Sequence, residues 1–424
     1  MLPLLLFATG LSPRAHAADD ALRADIEGHV RQGLLEVWFP RCLDREQGGF
    51  LCDFDYRWQP AGRQPKSIVF QGRNTWLAAQ GAMRYADDPR YLQATKHGFA
   101  FLRDKQWDAD HGGWYWKLDR AGNVTDETKG VKHAYGIGFG VYACAAVYEA
   151  TKDPAALDLA KKGFDWLDTH GHDDANGGYN EYFTREGKPI LDRASNPLGT
   201  DRDAIGTRVG LKSMNTHIHL LEAFATLYRV WPDQRVERRT NELLELVRDR
   251  ITAPPGAMHQ FFRPDWTPVP DLDSFGHDIE TGYLLVEAAE ALHKADDPKT
   301  RAVAKSLVDH TLDYGWDKTN CGVYESGEVR GPVRDRRKVW WAQAEALNAF
   351  LTMAKVYPDD PRHYRDLFDK HWAYCKANCI DPDNGEWYPD ALDAGGKAKS
   401  NKASEWKAGY HTGRALLNAV EGLK

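Results

Sequence analysis

The chain has 424 residues and a formal net charge of −7 at neutral pH, so it lacks the basic footprint with which proteins hold nucleic acid or an anionic membrane. Its length suits two or three average domains or one large repeat-built domain, and either can bury a sizeable core. Among its aromatic residues are 15 Trp and 18 Tyr, flat rings of the kind that stack on sugar or base faces.

Residues 2–7 form a short apolar run, followed by Ala15-His16-Ala17 and then Asp19-Asp20. The pattern matches the apolar core and small-residue cleavage site of an export leader, without its basic start. Residues 1–17 are therefore expected to be a signal peptide that sends the chain to the periplasm or the exterior, with 18–424 a single domain. No later stretch reaches the roughly 20 apolar residues that cross a bilayer, and no membrane partner is expected. The cysteines, Cys42, Cys52, Cys144, Cys321, Cys375 and Cys379, show no metal-finger spacing. An exported chain could oxidise Cys42 with Cys52, whereas Cys144 lies in an apolar helical pattern and reads as a buried thiol.

A glycine-aromatic signature recurs at Gly48-Gly49-Phe50, Gly112-Gly113-Trp114, Gly177-Gly178-Tyr179, Gly322-Val323-Tyr324 and Gly385-Glu386-Trp387. Its spacing is roughly 65 residues, and one double-sized gap holds a degenerate copy at Gly256-Ala257-Met258, giving about six units. Turn signals after several copies, such as Asp119-Arg120-Ala121-Gly122, mark short β-hairpins. Between them, apolar residues recur at helical spacing over 91–107, 133–150, 155–169 and 212–230, with breakers at Asp153-Pro154 and Trp231-Pro232. About twelve helices in six pairs predict an all-α (α/α)6 barrel, an inner ring of helices within an outer one, with an open solenoid as the alternative.

The second helix of each pair is the more apolar, as an inner ring requires. Its start carries the polar residues: Gln71 and Arg73; Lys132, His133 and Tyr135; Asn215, His217 and His219; His277 and Glu280; Trp340, Trp341, Gln343 and Glu345; and Tyr410, His411 and Arg414. Six such starts at one end of a barrel converge on one concave mouth. The stretch 189–210, rich in Asp, Arg, Gly, Asn and Pro, is an insertion expected to lie over that mouth as a lid.

His217, His277 and His411 sit on three inner helices and can face one another across a pocket. A metal site is one reading, but His217-Ile218-His219 sends two rings to different helix faces and no His-Glu-x-x-His pattern occurs, so none is expected. Glycoside hydrolysis by Glu280 and Glu345 is another, and it leaves the histidines and Arg73 without a task. Proton transfer at a carbon beside a carbonyl uses more of the set, because neutral imidazoles titrate near neutral pH and a cation can hold an enediolate oxygen.

The segments KSMNTHIHLLEA at 212–223, GHDIE at 276–280, WWAQAEA from Trp340 and WKAGYHTGR ending at Arg414 closely resemble the cellobiose 2-epimerase branch of the N-acylglucosamine 2-epimerase family. The likeness runs from about Gln71 to the C-terminus. It implies an isomerase on an (α/α)6 barrel that inverts C2 of the reducing-end sugar of a β-1,4-linked disaccharide such as cellobiose, mannobiose or lactose, without metal or redox cofactor. By the same resemblance His277 and His411 exchange the C2 proton, His217 assists ring opening and Arg73 steadies the enediolate. Glu280 orients a histidine or a sugar hydroxyl, Trp340 and Trp341 stack on the second ring, and Tyr135, Asn215 and Arg414 contact or support the substrate.

Inversion needs proton removal on one face of C2 and delivery on the other, for which two separated histidines suffice, whereas a single base favours aldose-ketose isomerisation. Glu345 reads as a buried carboxylate supporting Arg73 or a histidine. His133 and His219 read as packing or supporting residues, and only one of Trp340 and Trp341 is expected to point fully inward. Phe275 stands where the family has tyrosine, and Ala408-Gly409-Tyr410-His411-Thr412 departs from a Cys-Pro-Tyr-His-Asn type of sequence, which bears on substrate preference. The alternatives are an enzyme acting on monosaccharides, N-acylglucosamine or mannose, then a hydrolase on the same barrel or a sugar-binding module. A monomer or homodimer is expected.

Overall fold

The computed structural model describes residues 13–424, so the expected leader over 1–17 lies largely outside the described residues. Helices come in six pairs, outer then inner. In chain order these are α1 (Pro13–Gly28) and α2 (Glu36–Arg41) with α3 (Ile68–Arg84), α4 (Pro89–Phe101) with α5 (Ala134–Thr151), and α6 (Pro154–Trp166) with α7 (Met214–Val230). Then follow α8 (Gln234–Leu246) with α9 (Phe275–Ala291), α10 (Pro298–His310) with α11 (Trp340–Val356), and α12 (Tyr364–Asn378) with α13 (Tyr410–Gly422). Each inner helix packs on the next, and α13 packs on α3. The ring closes into the expected (α/α)6 barrel. Among the described residues no helix is long and apolar enough to cross a membrane.

Local sequence explains the alternation. Outer helices α4, α6 and α10 begin at Asp-Pro pairs: Asp88, Asp153 and Asp297 accept from the backbone N–H two residues on, and proline fills the first helical position. Inner helices are apolar on nearly every side, and α5 is buried without a break from Ala134 to Val147. Close approach within the inner ring rests on glycine, since a Cβ on Gly72 would meet the Phe139 carbonyl oxygen at 2.8 Å. Cys144 is the expected buried thiol. The Cys42–Cys52 disulfide does not form; both are buried thiols, and that of Cys52 donates to the Pro65 carbonyl oxygen at 3.3 Å.

Hairpins at 43–50, 107–114, 172–179, 253–257, 316–323 and 380–387 hand each outer helix over to its inner partner, the degenerate copy included. In five of them an aspartate opens the turn and accepts its backbone N–H groups. The same aspartates bind buried lysines, a feature the sequence reading missed. The pairs are Asp44–Lys66 at 2.9 Å, Asp108–Lys132 at 3.0 Å, Asp173–Lys212 at 2.8 Å, Asp317–Lys338 at 2.9 Å, and Asp381–Lys402. Four of these lysines stand two residues ahead of an inner helix, so each pair ties a hairpin to a helix start. Removing one partner of such a buried pair costs about 3–5 kcal/mol.

The fourth joint differs. Asp273 occupies the lysine position, and Asp273, Asp278 and His310 form a buried cluster in which His310 Nδ1 lies 3.0 Å from Asp278 and 3.5 Å from Asp273.

The insertion 189–210 lies beside the start of α5 at the mouth end of the barrel. Its Asp203 accepts from His133 Nε2 at 3.0 Å, and the Pro197 carbonyl accepts from Lys129 at 3.1 Å, which seats it against the approach to α5.

Candidate active site

All six inner helices send side chains from their first two turns into one cavity of about 230 Å³. Arg73, Tyr135, Asn215, His219, His277, Glu280, Trp340, Trp341 and His411 line it, together with Glu325 and Trp406 from the connecting loops. None of residues 189–210 takes part. Trp340 and Trp341 both line the cavity, where only one was expected to.

His277 and His411 flank the Trp341 ring at centroid distances of 4.6 and 5.7 Å. His411 donates from Nδ1 to Glu345 Oε1 at 2.5 Å, while Nδ1 of His277 lies 2.7 Å from the Ser274 hydroxyl. With Nδ1 engaged in both rings, Nε2 is the atom left for the cavity. Burial, with His219 and Arg73 adding to it, lowers His277 to about 3. Burial together with Arg73 and Arg414 holds His411 well below the usual imidazole range. Both rings are therefore neutral at neutral pH, each with a nitrogen lone pair that can take a proton.

Ser274 departs from its counterparts to do this. Ser67 and Ser213 occupy the same position before α3 and α7, and their hydroxyls cap those helices by accepting from the Phe70 and Thr216 amides. Ser274 makes no cap to α9. A cap of this kind is worth about 1 kcal/mol, which α9 forgoes so that the hydroxyl can hold His277.

His217 is not at the cavity, contrary to the role assigned from sequence. Its Nδ1–H donates to the Ser213 carbonyl at 2.7 Å and its Nε2 accepts from the Tyr179 amide at 3.0 Å, so both nitrogens are bound by backbone. His219 takes its place. Its Nδ1 meets Glu222 Oε2 at 3.0 Å, the ring packs edge-on to Tyr135 at 5.3 Å, and Nε2 is left free on the cavity side.

Arg414 lies beneath the floor, outside the cavity lining, in a supporting place. Its guanidinium binds Glu222, Glu280 at 2.5 Å and Glu345 at 2.7 Å, with Tyr410 also bonded to Glu222. Glu345, behind His411, also accepts from Asn348 at 3.0 Å. It is the supporting carboxylate anticipated, so Glu280 and Glu345 do not face the cavity as a hydrolytic pair. Burial and the neighbouring Glu345 push Glu280 up to about 8 against the pull of Arg414, and its Oε2 has no partner. Arg73 donates to the Tyr135 hydroxyl at 2.9 Å, lies over the Phe139 ring at 4.6 Å, and keeps Nε unpaired.

Three buried clusters hold donors of the kind that bind metals: His133 with Glu181 and Asp203, Asp273 with Asp278 and His310, and Glu280 with Glu345 and His411. In the third, Arg414 supplies the positive charge. In the first, His133 Nδ1 accepts from the Tyr135 amide, so Nε2 carries the proton given to Asp203, and Glu181 accepts from Ser213. In the second, burial and the adjacent Asp278 push Asp273 up to about 9, and burial holds Asp278 high as well, so protons balance that pair.

A sequence model of the N-acylglucosamine 2-epimerase (GlcNAc 2-epimerase) family matches residues 48–415. The chain belongs to this family. A cellobiose 2-epimerase of Bacteroides fragilis is 31% identical to it over 414 residues, which covers 95% of this chain and 99% of that protein. Solved cellobiose 2-epimerases from Spirochaeta thermophila and Bacillus thermoamylovorans match it with a TM-score of 0.83 each, at 30% and 27% identity, over 97% and 95% of this chain and 99% of theirs. This member of the N-acylglucosamine 2-epimerase family is accordingly a carbohydrate epimerase, an isomerase with a small sugar as substrate.

Proposed function

We propose that the enzyme inverts C2 of the reducing-end sugar of β-1,4-linked disaccharides, cellobiose, mannobiose or lactose, by histidine-mediated proton transfer without a cofactor. The observation that carries the reading is the pair of neutral imidazoles, His277 and His411, each held at Nδ1 and each presenting Nε2 to the cavity that Arg73 also lines. Their partners favour complementary states. A carboxylate accepts the Nδ1–H of His411, so its Nε2 holds a lone pair and can remove a proton. The Ser274 hydroxyl oxygen can accept the Nδ1–H of a protonated His277, whose Nε2–H is then the proton to be delivered.

In the sugar-opened state, His411 takes the C2 proton and the C2–H electron pair becomes the C1–C2 double bond of an enediolate, whose O1 charge faces Arg73. His277, protonated for this step, then gives its Nε2 proton to the opposite face of C2, and the electron pair returns to re-form the C1 carbonyl. His277 ends neutral and His411 ends as the imidazolium, the mirror image of the starting charges and the state needed to run the opposite epimer. His219, with Nδ1 bonded to Glu222, has Nε2 for the anomeric hydroxyl proton in ring opening. The Trp340 and Trp341 faces suit the second ring.

Incubation with cellobiose, mannobiose, lactose, mannose and N-acetylmannosamine in deuterated water tests the reading. Product chromatography should reveal the C2 epimer of a disaccharide, with deuterium at C2. No exchange in any of these sugars sinks the proposal, and turnover confined to mannose or N-acetylmannosamine replaces it with a monosaccharide enzyme.

A further inference from the structure

Four residues hold the same place just ahead of the first four inner helices: Ser67 before α3, His133 before α5, Ser213 before α7 and Ser274 before α9. At α5 the cap is thus an imidazole, whose Nδ1 accepts from the Tyr135 amide at 3.1 Å. A hydroxyl oxygen accepts whichever way its hydrogen turns. An imidazole nitrogen accepts only when the ring proton sits on the other nitrogen, and the partner of that other nitrogen decides where the proton sits. Here the partner is Asp203 of the insertion, which takes the Nε2–H at 3.0 Å. The other nearby carboxylate, Glu181 at 4.0 Å, is committed to the Ser213 amide and hydroxyl. The His133 ring is fully buried, beside Trp116 and Tyr182 at 5.5 and 5.9 Å.

The start of α5 in turn carries the guanidinium that faces the enediolate. Arg73 donates to the Tyr135 hydroxyl at 2.9 Å and to the Trp406 carbonyl at 3.4 Å, and it lies over the Phe139 and Tyr410 rings at 4.6 and 5.0 Å. Tyr135 and Phe139 stand one turn apart on α5, their rings in edge contact at 5.1 Å. An arginine placed by a hydroxyl and by ring faces follows the helix that bears them.

We infer that Asp203 is a positioning residue for the reaction: by fixing the His133 tautomer it secures the start of α5, and through Tyr135 and Phe139 it aims Arg73 into the cavity. The effect on turnover rests on the epimerase reading above. A misplacement of about 1 Å at a group that meets the transition state can cost about 10²-fold in rate. The exchange of serine for histidine at this one helix start and the carboxylate on the insertion are therefore two halves of one device.

The test measures kcat, KM and deuterium wash-in at C2 of cellobiose for the full-length enzyme and its variants. Asp203→Ala is expected to lower kcat about tenfold with KM within about twofold, and Asp203→Asn, whose amide oxygen still accepts from Nε2, to recover most of that loss. Lys129→Met removes the insertion's other tie, to the Pro197 carbonyl, and should leave kcat unchanged; equal losses in Lys129→Met and Asp203→Ala would mean general loosening of the loop and overturn the proposal. Tyr135→Phe deletes the hydroxyl that holds Arg73, so adding Asp203→Ala to it should cost little more, whereas fully multiplied losses overturn the path. Nitrogen-15 NMR of labelled histidine reads the ring itself: Nδ1 of His133 should be bare in the unmodified enzyme and not in Asp203→Ala, and a protonated Nδ1 in the unmodified enzyme overturns the proposal. If the unmodified enzyme moves no deuterium into any sugar, the functional reading fails instead, and the NMR arm still decides whether Asp203 sets the cap.

Discussion

His217 and His219, two residues apart on α7, have opposite fates because of what surrounds each. His217→Ala is expected to cost about 1–3 kcal/mol in urea denaturation, since it strands the Ser213 carbonyl and the Tyr179 amide, while kcat changes little. His219→Asn should keep the fold and lower turnover by about 10²–10⁴, read as deuterium wash-in at C2. The reverse pattern would return the ring-opening role to His217. The spacing said that the two rings diverge but not which one faces inward; the usable signal was Glu222, one turn on from His219 and able to share its face. A second expectation at this scale concerns pH. Glu280, pushed up to about 8, is a neutral carboxyl at neutral pH and can donate to a sugar oxygen. The free-enzyme kcat/KM should therefore fall as pH rises through about 8. Glu280→Gln, permanently neutral, should lose that limb, and its persistence would assign it to another group.

At the level of single helices, the three serines ahead of α3, α7 and α9 separate stability from chemistry. Ser67→Ala removes a working cap and should cost about 1 kcal/mol in a thermal or urea melt without altering kinetics. Ser274→Ala removes no cap, so its melt should stay close to that of the unmodified enzyme while kcat drops and the pH profile moves. A matched stability loss in both would reduce Ser274 to a structural residue. The helices were legible because apolar periodicity and Asp-Pro starts are local signals. The joints between them were not, because Asp44–Lys66, Asp108–Lys132 and Asp173–Lys212 are contacts across 22, 24 and 39 residues. The seat of the 189–210 segment escaped for the same reason: its composition marked a loop, and only the His133–Asp203 contact, 70 residues apart in sequence, says where the loop lies.

For the molecule as a whole, the fourth joint sets a pH dependence of stability. Folded Asp273 keeps its proton to about pH 9, whereas an unfolded aspartate loses its own near ~4. Between those limits the folded state binds more protons, so stability falls as pH rises through the window. Asp273→Asn removes that contribution, and its melting temperature should exceed that of the unmodified enzyme at pH 8 and approach it near pH 4. An unchanged slope in melts across that range would exclude Asp273 as the source. The convergence of six polar helix starts on one mouth was legible because the repeat puts them in phase. Glu325 and Trp406 were not, since they stand on connecting loops with no periodicity to report them, and for Arg414 the choice between contact and support stayed open because a motif position carries no information about depth. The aspartate-lysine bolts also separate what a barrel of this kind can change from what it must keep. In the third sector an insertion widens the interval between bolt residues to 39, against 22 and 24 in the first two, yet Lys212 still meets Asp173 at 2.8 Å. Chain can thus be spliced in between the two halves of a bolt without re-indexing the helix that follows, which makes those intervals the places to graft new loops around an unaltered catalytic ring.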